Sequence, residues 1–416
     1  SVNENVFRLY AQYWAQTTYP DESQYNQVTR NIGGNMWNTM YRDVLQDLKG
    51  AKELITAEGG SQAQLGIIKF MEVYAYSVLV DTFGNVPFTE ALNPENPSPM
   101  YDDAAGIYTA LASHLEEAIG DLSSGNGFDG SQDIAYAGNI NQWRKAAISL
   151  KLRMAMRLAD SNPSVSQTMA ESAFNAGPIT GNTDNFGINY LSAAPNTNPL
   201  WVSLVQSGRK DFVAANTLVD AMNPNSDPRL PSFFQTYEGN FVGGTYGSAN
   251  GASSNSDLSE LIKTPDLKGD LITAAEVHFL LSEAAARGYS VGGSAEAYYN
   301  SAIEVSMDEW GVSAADTATY LALEEVAYGT AAGDWMQKIG SQKWVAMYNN
   351  GFEGWTAWRL FDLGLNGPLV DGITLAIPTR FLYPVSEATL NGTQYDTAAS
   401  AIGGDSKTTK VFWDVN

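Results

Sequence analysis

The chain has 416 residues, and 23 Lys and Arg against 46 Asp and Glu give it a formal net charge of -23. This charge repels phosphate backbones and anionic headgroups, which argues against nucleic acid or an anionic membrane surface as a partner. The chain has no cysteine, which excludes disulfides, thiolate nucleophiles and cysteine metal sites.

The first part of the chain carries two helical patterns in succession, at residues 35–58 and 62–83. Apolar residues recur at the spacing of a helix face and a double glycine separates the two stretches, so we expect a helical hairpin. The longest apolar window, Phe70–Val80, is interrupted by polar residues. It falls short of the roughly 18 residues of a membrane span.

A second helical pair is predicted after the proline-rich segment 93–99. Asp102 or Asp103 can cap its first helix, whose apolar residues form one stripe. The second helix is predicted from about Asn141, with a glycine-rich loop between the two.

Helical periodicity is confined to short pieces such as 211–222 in the next part of the chain, residues 175–269, where Gly, Pro, Asn and Ser dominate. Loops of this kind carry binding functions disproportionately often. Two further helical pairs follow. Their predicted ranges are 270–287, 294–310, 335–349 and 352–363.

About four helix pairs without identical repeats are typical of divergent tetratricopeptide-like hairpins. The sequence therefore predicts a mainly α fold, with such hairpins in a right-handed array and a large loop-rich insertion. We expect a single domain over residues 1–416. Its hairpin scaffold covers 35–174 and 270–363, its loop-rich ligand-binding region covers 175–269, and an extended C-terminal segment covers 364–416.

Residues suited to catalysis are scarce. The two histidines, His114 and His278, lie in predicted helices beside apolar residues, and the chain has no Gly-x-Ser-x-Gly, phosphate-loop or dinucleotide motif. Glycoside hydrolysis by paired carboxylates about 5–10 Å apart is the enzymatic alternative, and Glu276 and Glu283 share a helix face. We predict a protein that is not an enzyme and has no catalytic residues.

Two acids in the loop GFDGSQD, Asp129 and Asp133, could supply oxygen ligands to Ca2+. The twelve-residue calcium loop with its terminal Glu is missing, however. We therefore predict no cofactor and no metal residues, with a structural Ca2+ left as an alternative.

Aromatic side chains in the irregular segments are the positive signal for binding. The apolar faces of sugar rings stack on Trp and Tyr, while sugar hydroxyls hydrogen-bond to Asn, Gln, Asp and Arg. Packing beneath the loops is the alternative for each ring. The predicted ligand-binding residues are Trp201, Tyr237, Phe241, Tyr246, Tyr190, Asn198 and Asn240 in the loop-rich region, with Tyr19 and Tyr25 near the N-terminus.

Basic residues are sparse in the loop-rich region, where only Arg209, Lys210 and Arg229 precede Lys263. An anionic polysaccharide would be repelled, so a neutral glycan is favoured. The tryptophans of the predicted helices occupy core spacing and are assigned to packing. They are Trp37, Trp143, Trp310, Trp344, Trp355 and Trp358.

Four regions, taken in order and with the last one in two parts, resemble the SusD/RagB family of nutrient-binding outer-membrane lipoproteins of Bacteroidetes, in a divergent SusD-like branch. Residues 80–92 (VDTFGNVPFTEAL) resemble a turn that follows a helix in the family. Residues 143–157 (WRKAAISLKLRMAMR) and 274–288 (AAEVHFLLSEAAARG) are similar to two of its helices. Residues 342–358 and 377–391 (IPTRFLYPVSEATLN) are similar to its closing helices and its Ile-Pro-x-Arg-x-x-Tyr-Pro ending.

The resemblance implies a lipid-anchored protein on the extracellular face of the outer membrane, which captures oligosaccharide or peptide and lids a SusC-like TonB-dependent transporter. The family's lipidated cysteine is absent from this sequence, and we expect a leader before Ser1, so the anchor is implied only by the resemblance. We expect capture of oligo- or polysaccharide, preferably neutral, and delivery to that transporter. A peptide receptor of the same transporter type and, further behind, a carboxylate-dependent glycosidase are the alternatives.

Overall fold

The computed structural model describes residues 5–415. Helices dominate it, which confirms the predicted mainly α fold built from helical hairpins. The α-helices are α1 (Val6–Tyr10), α2 (Ile32–Asn38), α3 (Gln46–Ala57), α4 (Gln62–Phe83), α5 (Ala104–Asp121), α6 (Ile140–Arg157), α7 (Pro163–Ala176), α8 (Pro199–Trp201), α9 (Asn216–Met222), α10 (Leu230–Phe233), α11 (Ala274–Ala286), α12 (Ala295–Glu309), α13 (Ala314–Leu321), α14 (Trp335–Ala346), α15 (Gly351–Phe361), α16 (Glu387–Leu390) and α17 (Gly392–Ala401). The strands are β1 (Trp14–Gln16), β2 (Phe186–Ile188), β3 (Phe212–Ala214), β4 (Gly269–Ile272), β5 (Leu369–Val370) and β6 (Ile373–Thr374).

Residue contacts divide the described chain into two compact units. The first unit comprises residues 5–26 and 179–377, and the second comprises residues 27–178 and 378–415. The sequence-based division into scaffold, loop-rich region and C-terminal segment groups residues by secondary structure, whereas these two units group them by contact. The sequence-based division stays a prediction.

The second unit contains the first two helical pairs. Helix α4 begins at a capping box, in which the Ser61 hydroxyl accepts from the Gln64 backbone N–H and the Gln64 side chain accepts from the Ser61 N–H. Helix α5 begins at Asp103, whose carboxylate accepts from the Gly106 N–H at 3.0 Å. Local side chains therefore fix where both helices start, as the sequence indicates.

Helix α4 is more apolar over its length than the sequence analysis suggests. By length and composition its residues Gln62–Phe83 could cross a membrane, but 67% of the most apolar window is buried inside the protein. Phe70, Leu79 and Val80 have no exposed surface. A buried core helix meets the same criteria for length and composition, and α4 packs between its helical neighbours in this way.

A buried carboxylate, Asp81 at the end of α4, ties the second unit together. It accepts hydrogen bonds from the Tyr108 hydroxyl at 2.5 Å and the Trp413 indole N–H at 2.8 Å, and it pairs with the Arg157 guanidinium at 3.3 Å. A charge this deeply buried is tolerated because donors surround it. Asp81 and Arg157 lie in two of the segments that carry the family resemblance, so these motif residues are structural.

The first unit combines two helical pairs, α11 with α12 and α14 with α15, with three two-stranded sheets. Helix α11 packs against α12 and α14, and α15 packs against α1 and α14. The antiparallel pairs are β1 with β3, β2 with β4, and β5 with β6. Inside this unit Arg229 and Asp227 form a buried ion pair at 2.6 Å.

The structure differs from the sequence-based expectation in two segments. The stretch 211–222, predicted as a helix, begins as strand β3 and becomes helical only at α9, because Phe212–Ala214 pairs with Trp14–Gln16 almost 200 positions earlier. The segment 364–416, predicted as extended, contains the β5–β6 hairpin and helices α16 and α17. Its helices bury few side chains, so apolar periodicity gives little sign of them.

Packing explains nearly all of the tryptophans that the sequence assigns to helices. Trp355 has no exposed surface, and four others are at most 8% exposed, while Trp358 is half-buried. Those four are Trp37, Trp143, Trp310 and Trp344.

Candidate functional site

Strands β1 and β3 provide a fixed base for the loops of the first unit. The Trp14 ring is fully buried against Phe212, with 5.3 Å between the ring centroids, and its indole N–H donates to the Tyr348 hydroxyl at 2.9 Å. The Arg8 guanidinium lies 5.2 Å from the Trp14 ring centroid. Trp14 therefore anchors the strands instead of contacting ligand.

Gln16, at the end of β1, holds the loop that follows. Its amide nitrogen donates to the Tyr19 carbonyl at 3.0 Å and to the Glu22 carboxylate at 2.7 Å, and its amide oxygen accepts from the Ser23 backbone and hydroxyl. Gln16 is 1% exposed, whereas the Tyr19 side chain is 67% exposed. The loop thus presents an exposed ring on a hydrogen-bonded backbone, which is the arrangement expected of a contact residue.

Two other predicted tyrosines lie beneath this loop. Tyr25 and Tyr246 are 1% and 5% exposed, and their ring centroids are 6.2 Å apart. The Tyr246 hydroxyl donates to the Leu9 carbonyl at 2.6 Å, and the Gln12 amide donates to the Tyr25 hydroxyl. Burial raises the pKa of both phenols, which stay neutral. Their place in the structure is to support the loops.

A second loop, residues 207–211, runs beside the Tyr19 loop. The Thr17 backbone N–H donates to the Asp211 carbonyl, and its hydroxyl donates to the Lys210 carbonyl. The Arg209 Nε–H donates a bifurcated hydrogen bond to the two Asp211 carboxylate oxygens, at 2.7 and 3.0 Å. This contact with Asp211 raises the pKa of Arg209, and the nearby Tyr19 phenol adds to the effect. The guanidinium is therefore held by Asp211, on a loop whose backbone is bonded to Thr17.

The chain reaches that second loop through a short helix carrying Trp201. Asn198 begins this helix: its amide oxygen accepts from the Leu200 N–H at 2.7 Å, and its amide nitrogen donates to the Leu267 carbonyl at 2.6 Å. Asn198 is buried and holds the helix in place. Trp201 itself is half-exposed, and Val202 and Val205 in the π-helical turn that follows are 43% and 42% exposed.

Tyr190 is half-exposed and lies close to the backbone at Gly269, two residues after the Leu267 carbonyl to which Asn198 donates. Its ring is near Gly269, where an added methyl group would come within 3.1 Å of the Tyr190 Cε2 atom. The next residue, Leu191, is 57% exposed. We refer to the exposed side chains of this region as the loop surface. Its members are Tyr19, Tyr190, Leu191, Trp201, Val202, Val205 and Arg209.

The remaining predicted residues form a separate tight turn. Tyr237 and Asn240 exchange backbone hydrogen bonds at 2.7 and 3.0 Å, with Glu238 and Gly239 at positive φ between them. Tyr237 and Phe241 are half-buried and Asn240 is exposed.

Sequence reasoning missed the aliphatic part of the loop surface. Val205 follows Trp201 by four positions in a region otherwise poor in apolar residues, and this spacing puts two side chains on one helical face. That signal could have identified it. Leu191 has no comparable signal, because its exposure depends on the loop that closes through the bond from its N–H to the Asn196 carbonyl.

Residues considered for catalysis lie elsewhere or are enclosed. Glu276 and Glu283 are at most 1% exposed, and Glu283 pairs with Arg287 at 2.9 Å. Their burial leaves them out of reach of a polysaccharide. His278 contacts the Thr180 carbonyl at 3.0 Å, and His114 lies beside Phe88 in the second unit.

The loop acids considered for Ca2+ are already hydrogen-bonded. The Asp133 carboxylate accepts from the backbone N–H groups of three residues and from the Trp143 indole N–H at 2.7 Å. Asp129 accepts from Ser131. Within residues 5–415 no cluster of three or more His, Cys, Asp or Glu side chains could hold a metal ion. Ca2+ binding here stays an untested prediction.

Fold and loop surface together define a binding protein of helical hairpins that presents aromatic and aliphatic side chains on hydrogen-bonded loops. Residues 1–384 match the SusD-like family, which is described as starch-binding and associating with the outer membrane. The chain belongs to this family, as the four sequence regions indicate. The family binds glycans and is associated with the outer membrane, and its members are binding proteins rather than enzymes.

Solved structures agree with this assignment. One similar structure is a chitin-binding protein, with 25% identity and a TM-score of 0.85 over 99% of this chain and 94% of that one. A SusD-like protein described as Bacteroidetes AC2a has 24% identity and a TM-score of 0.88, over 99% and 95%. A chitin-binding SusD homolog from Flavobacterium johnsoniae has 24% identity and a TM-score of 0.86, over 100% and 94%. No curated protein is similar enough in sequence to be counted as a relative.

Proposed function

We propose that this protein captures a neutral oligo- or polysaccharide on the loop surface and delivers it to a SusC-like TonB-dependent transporter, while a lipid anchor holds it on the extracellular face of the outer membrane. The exposed Tyr19 ring on its fixed loop carries the proposal. A ring that is 67% exposed costs free energy in water unless a partner covers it. The apolar face of a pyranose is such a partner.

Charge supports the choice of a neutral ligand. The net charge of -23 repels uronates and sulfated glycans. Arg209, the cation on the loop surface, is already engaged by Asp211. Two of the similar structures are chitin-binding proteins, so oligomers of N-acetylglucosamine belong in the test panel beside neutral glucans and mannans.

Affinity electrophoresis and calorimetry against neutral and anionic polysaccharides test the proposal. We expect retardation by a neutral glycan, and a loss of affinity of about threefold to tenfold in Tyr19→Ala, as for one lost aromatic contact. Tyr19→Phe keeps the ring and should bind nearly as well. Retardation by none of the glycans would refute glycan capture, and binding of peptides instead would establish the peptide alternative.

A matched pair of valines separates the loop surface from general surface effects. Val205 on the loop surface and Val165 in α7 are 42% and 41% exposed. Val205→Ser should weaken glycan binding, whereas Val165→Ser should leave it unchanged. Equal effects would show that the ligand lies elsewhere.

Delivery has its own test. Pull-down from solubilised outer membranes should recover a large TonB-dependent barrel with the full chain in its lipidated form. Recovery that is unchanged in Tyr19→Ala would show that glycan contact and transporter contact use different residues. Failure to recover any barrel would refute the delivery step and leave glycan capture standing.

A further inference from the structure

A small cavity opens in the second unit, between helices α3, α4 and α5 and the turn at residues 88–92. Its volume is about 330 Å³, within the range of small-molecule sites. The apolar part of its lining is formed by Leu45, Val73, Phe88, Ala91, Leu92 and Leu111. Three of these, Leu45, Val73 and Leu111, are each 1% exposed, so the floor of the cavity is part of the buried core of this unit.

One buried polar side chain of this cavity lacks a partner. Tyr76 lines the cavity and is 8% exposed, and its ring packs edge-on against Phe88 with 4.8 Å between the ring centroids. Its hydroxyl forms no hydrogen bond within residues 5–415, whereas the hydroxyl of the neighbouring Tyr41 donates to the Pro87 carbonyl at 2.6 Å. Because the Tyr76 oxygen is not fully enclosed by protein atoms, it faces the cavity and not the core. Burial raises the pKa of Tyr76, so the hydroxyl stays protonated and can donate.

A second free donor lies on α3. Lys49 lines the same cavity, and its ammonium uses one of three N–H groups on the Leu92 carbonyl at 2.7 Å. Leu92 has a φ of +60°, a left-handed conformation that is uncommon for leucine and costs free energy. Strained residues that the surrounding structure keeps in place are concentrated at ligand sites. The turn therefore holds Lys49 in position and leaves two of its N–H groups for a ligand.

The acids near this cavity are engaged by other groups. Glu72 pairs with Lys52 at 2.9 Å, and Asp102 accepts three hydrogen bonds from residues 88–89. Lys49 has no carboxylate partner within the part of the chain that the structure describes, although the sequence has 46 Asp and Glu against 23 Lys and Arg. The lining therefore presents a cation whose charge no neighbouring acid takes up.

We infer that this cavity binds a small molecule with a carboxylate on an apolar body, and that the carboxylate accepts hydrogen bonds from the Lys49 ammonium and the Tyr76 hydroxyl. A carboxylate only accepts, and both free groups donate. The apolar body covers the aliphatic floor, where the many hydroxyls of a sugar would be left without partners. His114 is exposed at the edge of the cavity and supplies a third donor through its ring.

Calorimetric titration with 3-phenylpropanoate tests the inference, and 3-phenylpropan-1-ol is the control because it has the same body without the charge. We expect the acid to bind at least about tenfold more tightly than the alcohol, as for hydrogen bonds to a charged group. Equal affinities would overturn the role of the carboxylate, and binding of neither compound would overturn the site.

L-Phenylalanine separates two sources of the carboxylate, because it adds an ammonium to the same acid. Binding tighter than that of 3-phenylpropanoate would support the site and identify an amino acid, with its ammonium at Glu72. Weaker binding would support the site and identify an acid without an ammonium.

Two tyrosine variants assign the binding to this cavity. Tyr76→Phe removes a hydroxyl without an internal partner, so affinity for 3-phenylpropanoate should fall by about threefold to tenfold while the urea midpoint stays unchanged. Tyr41→Phe removes the bond to the Pro87 carbonyl, so its midpoint should fall while its affinity is unchanged. Unchanged affinity in Tyr76→Phe would overturn the role of its hydroxyl.

Lys49→Met tests the cation. The substitution keeps an apolar side chain and removes the charge, so 3-phenylpropanoate should lose its advantage over the alcohol. An unchanged preference for the acid would overturn the role of Lys49.

The inference goes beyond the proposed function and does not depend on it. The residues of this cavity belong to the second unit, those of the loop surface belong to the first, and the titration needs no glycan. Failure of glycan capture would therefore leave this site standing, and failure of the titration would leave glycan capture standing.

Discussion

Replacing Gly247 by alanine tests whether the loops beneath Tyr19 depend on one close backbone contact. Gly247 has a φ of +78°, and a Cβ atom there would lie 2.1 Å from Pro368 Cβ. Its carbonyl accepts from the Gln24 amide at 2.8 Å, which connects this position to the Tyr19 loop. The substitution therefore perturbs both the base of the β5–β6 hairpin and the loop surface.

The magnitude follows from two separate costs. A left-handed backbone costs an alanine about 1–2 kcal/mol, and moving Pro368 back to an ordinary contact adds about 1–3 kcal/mol of overpacking. Gly239→Ala is the matched control, because its φ is +82° and no atom lies within 4 Å of its added methyl group. The two variants should differ in the free energy of unfolding by about 1–3 kcal/mol, the cost of the clash alone.

Urea denaturation followed by tryptophan fluorescence measures this difference, with the transition midpoints compared at equal slopes. Calorimetry with the glycan that the wild type binds should show weaker binding by Gly247→Ala and unchanged binding by Gly239→Ala. Equal losses of stability in the two variants would refute the steric argument. Unchanged affinity in a destabilised Gly247→Ala would refute the link to the Tyr19 loop.

Three further predictions concern stability. Asp133→Ala leaves four buried or partly buried donors without their acceptor and should lower the free energy of unfolding in urea by about 2–4 kcal/mol. Asp129 is exposed, so Asp129→Ala should have a much smaller effect. Equal losses of stability would contradict the role given to the Asp133 carboxylate. Arg229→Met strands the buried Asp227 and should cost about 3–5 kcal/mol. Arg209→Met breaks a pair whose arginine is exposed and should shift the midpoint much less. Similar midpoints would show that burial of the arginine does not decide the difference. Burial raises the pKa of Glu309 in the folded state, so its contribution to stability is complete below about pH 4.5 and lost as pH rises through about 8. The thermal midpoint of the wild type should therefore fall relative to that of Glu309→Gln over this pH range. Parallel curves for the two proteins would contradict the raised pKa.

The helices could be predicted because their determinants are local. Asp103 is a capping residue three positions before the N–H that it accepts from, and Ser61 and Gln64 form a reciprocal box within one turn. The helical spacing of apolar residues also predicts the buried face of α5. Strand β3 could not be predicted in this way, since its partner is β1 and nothing within Phe212–Ala214 itself specifies that pairing.

The exposure of individual rings was harder to predict than the irregular segments that carry them. Tyr19 and Tyr25 lie six positions apart among similar polar neighbours, yet one is 67% exposed and the other 1%. The difference comes from partners distant in sequence: Gln12 bonds to Tyr25, and Tyr246, which packs on Tyr25, bonds to Leu9. Composition indicates an aromatic loop region, but long-range hydrogen bonds decide which rings face solvent.

The buried rings explain how a loop can keep an aromatic contact exposed without losing its shape. Tyr25 and Tyr246 place apolar area beneath the loops and satisfy both hydroxyls internally, and Gln16 bonds the backbone of the Tyr19 loop. Ordering such a loop costs conformational entropy that binding would otherwise have to supply. Because folding has already supplied it, the exposed Tyr19 ring could contribute most of its contact energy to the neutral glycan that we propose as the ligand.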